Sequence, residues 1–147
     1  MRSIAALALG LCLPAAMAAS QLPDSLIADG RTEALAGNPL QPALESDAAL
    51  QGRLKRYLPA KPCAQAERGY VATWEIREAT LYLMKLDVDP CGGGKTVPLS
   101  LIFPTATGPV KATWFSGELK TQPGQVRYVK SGSVTGSASL ERPRRQY

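Results

Sequence analysis

The feature that most limits what this chain can fold into is a change of hydrophobic period at Tyr70. From there "YVATWEI" alternates, with Tyr70, Ala72, Trp74 and Ile76 on one side and Val71, Thr73 and Glu75 on the other. A period of two belongs to a strand with one buried face. Arg77 to Thr80 supply a turn. "LYLMKLDV" then resumes the alternation, with Leu81, Leu83 and Lys85 on one face and Tyr82, Met84, Leu86 and Val88 nearer the other. Two such runs about a short turn form an antiparallel hairpin.

Ala-Thr-Trp, inside the first of these strands, returns at Ala112–Trp114 within "VKATWFSGEL". The residues after each copy differ, Glu-Ile against Phe-Ser-Gly, which argues against an internal duplication. The second copy reads as a strand with Val110, Ala112, Trp114 and Ser116 on one face. It is expected to neighbour the first in one antiparallel sheet, with both tryptophans in the core rather than clamping a ligand. "VPLSLIF" reads as a strand begun at Pro98, and "QVRYVKSG" as a shorter one. "DPCGGGK" and "PTATGP" are loops, and "SVTGSASLERPRRQY" could add a last edge strand before an exposed basic end.

Upstream, "ALESDAALQGRLKRYL" reads as a helix with Leu44, Ala48, Leu54 and Leu58 on one face and Ala43, Leu50 and Tyr57 at its edges. Gly52 weakens it by about 1 kcal/mol relative to Ala. Arg53, Lys55 and Arg56 near its C-terminal end suit the helix dipole and read as a solvated helix end rather than a binding patch. Earlier still, Asp29-Gly30 marks a hairpin flanked by Leu26-Ile27 and Ala34-Leu35. The expected fold is α+β: an N-terminal hairpin, one helix, and an antiparallel meander of four or five strands packed on that helix.

The first 18 residues read as a signal peptide. Arg2 gives a positive start, Ile4 to Leu13 an apolar run too short to span a bilayer, and Ala16-Met17-Ala18 a small-x-small cleavage site. Cleavage removes Cys12 and leaves a single domain over 19–140 with a basic tail over 141–147. No later stretch is apolar and long enough for a transmembrane segment. The expected location is a bacterial periplasm or the extracellular space. Cys63 and Cys91, 28 positions apart, then read as one structural disulfide, worth roughly 3–4 kcal/mol in the chain-entropy model. A reactive or metal-binding thiol pair is the alternative, but no histidine and no C-x-x-C spacing accompany it.

"GYVATWEI", "LYLMKL", "WFSGEL" and "PGQVRYV", with "LIADGRTEAL", "NPL" and "YLPAKP" upstream, together resemble an uncharacterised family of small bacterial proteins with this order of motifs. The resemblance spans most of the mature chain and implies a shared fold; it brings no activity with it. This chain departs from the family's pattern in its export signal, in Cys63 and Cys91, and in its small, basic end.

Chemistry is hard to place. "GGGKT" at Gly92–Thr96 lacks the earlier glycine of a phosphate loop, since Asp89 stands there, and Pro98 opposes the helix such a loop needs. Asp87, Asp89 and Gly92 fall at calcium-loop spacing, but the closing glutamate position is Pro98. The chain has no histidine to serve as a base for serine or cysteine. Glu75, Glu78 and Glu118 would suit a carboxylate-dependent hydrolase if the two tryptophan strands were adjacent, though alternation turns Glu75 away from Trp74. No metal and no cofactor is expected. Arg142, Arg144 and Arg145, in a chain of net charge +5, are candidates to meet an anionic partner. That partner would be a protein or an anionic envelope component. Nucleic acid is not expected, because no aromatic residues interleave the basic ones. The expectation is an exported, non-enzymatic binding protein, such as an inhibitor or immunity protein; a small hydrolase and a structural envelope component are the alternatives.

Overall fold

The computed structural model describes residues 20–122 and 124–130. The signal segment, the proposed last edge strand and the tail with Arg142, Arg144 and Arg145 lie outside the described residues. Strands β1 (Asp24–Ala28) and β2 (Arg31–Ala36) form the expected hairpin. Its turn residues Asp29 and Gly30 both have positive φ, 51° and 72°, as a two-residue primed turn requires.

The single expected helix is two. Helix α1 (Gln41–Ser46) stops at Asp47, whose backbone is extended, and α2 (Ala48–Lys55) starts there. Asp47 Oδ1 accepts the Ala49 and Leu50 amides, each at 3.0 Å. A short carboxylate that caps a new helix competes with continuing the old one. Ala43, Leu44, Leu50 and Leu54 are buried, so the apolar face survives the break.

β3 (Tyr70–Arg77) and β4 (Thr80–Val88) form the hairpin read at Tyr70. Glu78 and Ala79 take positive φ in its turn. Thr73 pairs with Lys85 but Trp74 with Leu83, which leaves Met84 as an extra, bulged residue. The bulge moves the buried face by one, so Leu86 and Val88 join Leu81 and Leu83 in the core instead of facing away from them.

"VPLSLIF" is not a strand. β5 (Lys95–Thr96) ends before it, and α3 (Leu99–Ile102) is a helical turn entered from Pro98. Ile102 is buried while Leu101 is exposed, a helical distribution of apolar residues that a short apolar run does not announce. "VKATWFSGEL" is likewise divided, into β6 (Val110–Lys111) and β7 (Ser116–Gln122), with Trp114 in the turn between. The two Ala-Thr-Trp copies are therefore not neighbouring strands. β8 (Val126–Lys130) completes the described chain.

Among the described residues, all eight strands share one sheet, ordered β5-β4-β3-β1-β2-β7-β8, with β6 also on β4. This exceeds the four or five strands expected, because the N-terminal hairpin joins the sheet, "VKATWFSGEL" yields two strands, and Lys95–Thr96 adds a short one. β1 runs parallel to β3 and antiparallel to β2; with Asp24, Leu26 and Ala28 buried, it is a central strand. The sheet curls. The Lys130 amide donates to the Ala79 carbonyl at 2.8 Å, and Arg127 Nη1 to Asp29 at 2.6 Å, so β8 returns to the turns of the two hairpins. The core lies between the helices and the curled sheet, around Leu26, Leu35, Trp74, Leu83 and Leu86. Cys63, after α2, is disulfide-bonded to Cys91, in the turn after β4, with Cα atoms 6.2 Å apart. No helix among the described residues is long and apolar enough to cross a membrane.

Candidate functional site

β7 and β8 pair antiparallel with Glu118 opposite Tyr128, Lys120 opposite Val126 and Ser116 opposite Lys130. Alternation sends Leu119, Thr121 and Val129 inward and leaves the other face to solvent. That outer face carries Tyr128, 72% exposed, and Val126, 44% exposed. Glu118 stands opposite Tyr128, Lys120 opposite Val126, and Lys130 follows Tyr128 on the same face. Lys120 Nζ lies 3.6 Å from Glu118 Oε1. Exposed tyrosine is enriched at protein contact surfaces, whereas lysine belongs to their polar, solvated rim.

The carboxylates named from the sequence are dispersed. Glu75 accepts from Arg77 Nε at 2.9 Å on the same strand, and that contact holds its carboxyl below the usual range. Glu118 is on β7, separated from β3 in the sheet by β1 and β2. Glu78 is an exposed turn residue between β3 and β4. Among the described residues no group of three or more acidic or cysteine ligands could hold a metal ion.

Asp24 was not singled out by the sequence. It is fully buried and accepts three donors: Arg68 Nη2, the Ala72 amide at 2.9 Å and Trp74 Nε1 at 2.9 Å. Arg68 lies over the Tyr70 ring, 4.6 Å from its centroid, and donates Nε to the Tyr70 carbonyl. The Tyr70 hydroxyl meets the Asn38 amide at 3.0–3.1 Å. Burial raises the Tyr70 pKa above its ordinary value, with the Asn38 hydrogen bond opposing. Saturated in this way, Asp24 joins β1, β3 and the Arg68 loop; it is a structural node, not a free acid. Its signal was available: it shares parity with Leu26 and Ala28 on β1.

The two tryptophans do meet. Trp74 is fully buried; Trp114, half-buried in its turn, approaches it edge-on with centroids 6.5 Å apart. Trp114 Nε1 donates to the Pro39 carbonyl at 2.8 Å, and its ring stacks on Phe103 at 5.6 Å. Neither family models, nor curated proteins, nor solved structures give a match to this chain.

Proposed function

We propose that this chain is an exported, non-enzymatic binding protein of the inhibitor or immunity type, which engages an acidic protein surface through the outer face of β7 and β8. The observation that carries the reading is Tyr128, 72% exposed opposite Glu118, with Lys130 two residues along the same strand and Lys120 diagonally across on β7. A tyrosine supplies a large, rigid contact at low entropic cost, and the lysines select an acidic counterpart. Arg142, Arg144 and Arg145 add three further positive charges later in the sequence. Export is supported by the signal-like N-terminus and the paired Cys63 and Cys91. The hydrolase alternative has weaker support, since Glu75 and Glu118 face basic neighbours on their own strands.

The test is a photo-crosslinking residue placed at position 128 and, as a control, at exposed Glu45 on α1. Cells of the native host grown with the 128 variant should give one adduct of defined mass, absent from the position-45 variant and diminished as salt rises. No adduct at 128, or the same adduct from both positions, would remove this face from the account.

A further inference from the structure

We propose that the cleft between α2 and the Trp114 turn is a binding site for an anionic saccharide, a sugar ring bearing a carboxylate or phosphate. This inference does not depend on the β7–β8 face. The cleft has a volume of about 430 Å³ and is walled by Phe103 and Trp114, within the size range of small-ligand sites. The two rings are stacked, 7° from parallel, and the indole is anchored at both ends: Nε1 to Pro39 and its edge to Trp74. A fixed aromatic wall of this kind offers an apolar surface to the C–H face of a sugar ring without an ordering cost on binding.

The polar lining supplies the rest. Thr105 and Thr113 line the same cleft and carry hydroxyls suited to sugar hydroxyls. Arg53 reaches in from α2 with Nε held on the Ile102 carbonyl at 2.6 Å. Its Nη1 and Nη2 make no hydrogen bond to any described residue, so the planar fork is oriented by Nε and not engaged by the described residues. Such a fork matches a carboxylate or phosphate in two-point contact. Lys111, exposed on β6, adds a second cation. The one acid in the lining, Asp47, already accepts two backbone amides through Oδ1. Two cations therefore face one engaged carboxylate, and the cleft selects an anion. The bases of α2 that read as a solvated helix end are in part the wall of this cleft.

The experiment is an NMR titration of the two indole N–H signals, which report Trp114 in the cleft and Trp74 in the core. The probes are trigalacturonate against maltotriose, and glucose 6-phosphate against glucose. The Trp114 signal should move with a charged sugar while Trp74 stays, and the neutral counterpart should bind at least roughly tenfold more weakly. Whichever charged pair shows the larger difference identifies the anion. Arg53→Gln should cut the preference for charge more than Lys111→Gln does, since Arg53 supplies the two-point contact. Lys111→Gln, at an exposed position, should weaken charged-sugar binding several-fold without touching the fold, and keeps the test decisive if Arg53→Gln does not fold. Tyr128→Ser should leave sugar binding unchanged. A still Trp114 signal, equal binding of charged and neutral sugars, or a preference for charge that survives Lys111→Gln undiminished would overturn the proposal.

Discussion

Asp24→Ala is expected to destabilise the fold by roughly 3–5 kcal/mol, the range for breaking a buried charge pair by removing one partner. The structure shows where that cost arises. Asp24 has no exposed surface and accepts from three groups. Its loss leaves the Ala72 amide and the Trp74 indole N–H without acceptors, at about 1–3 kcal/mol for each buried orphan. Arg68 contributes at the low end, because its side chain is 23% exposed and can turn toward water. Asp24→Asn separates charge from hydrogen bonding. Its oxygen still serves Arg68 and Ala72, but its amide nitrogen then faces the indole donor, so one orphan remains and the expected cost is roughly 2 kcal/mol. In a Trp74→Phe background that conflict is absent, and the Asn variant should cost measurably less than it does alone. Urea unfolding at neutral pH, with unchanged slope across the set, gives the values. An Ala variant within about 1 kcal/mol of wild type, or an Asn variant as costly as Ala, would refute the donor account.

Cys63→Ser should cost roughly 2–5 kcal/mol, and the oxidised wild type should weigh two hydrogens less than its dithiol by intact mass. Trp74→Ala should cost about 3–5 kcal/mol and Trp114→Ala less, because Trp114 is only half-buried; acrylamide should quench the fluorescence of the Trp74→Phe variant, which reports Trp114, more readily than that of Trp114→Phe. Tyr70 gives the pH dependence. Its folded pKa is raised above its unfolded value by burial, so its contribution is fully present below about pH 10 and is lost as pH rises through the folded value; Tyr70→Phe should flatten the fall in stability measured above pH 10.

The legible parts of the fold were those where one local signal stood unopposed. The Asp29-Gly30 turn and the alternation through Tyr70, Ala72 and Trp74 gave their hairpins directly. The misread parts have particular causes. Asp47 looked like one more polar residue on a helix, yet as a cap it starts a new one. Met84 bulges, so a strict period of two assigned Leu86 and Val88 to the wrong side. The Leu99–Ile102 run is too short for periodicity to separate helical turn from strand. The place of β1 between β2 and β3 is a long-range pairing that no local pattern encodes, and part of the larger strand count followed from it. Of the candidate site, the charge of the C-terminal end was visible, but not that Tyr128 would stand open beside Lys120, because exposure depends on which face of β7–β8 the sheet closes over. Trp114 was read as a core strand residue; its place at a cleft wall follows from the turn between β6 and β7.

The measurement that bears most directly on the binding account is the salt dependence of the position-128 adduct, compared between the full chain and a chain ended after Glu141. Removal of residues 142–147 is expected to leave urea stability unchanged, since chain ends seldom carry a fold's stability. Adduct yield should fall in the shortened chain, and its decline with salt up to ~0.5 M should become shallower, since fewer exposed charges remain to be screened. An adduct of the same yield and the same salt dependence in both chains would contradict a partner held by the combined charge of β8 and the tail.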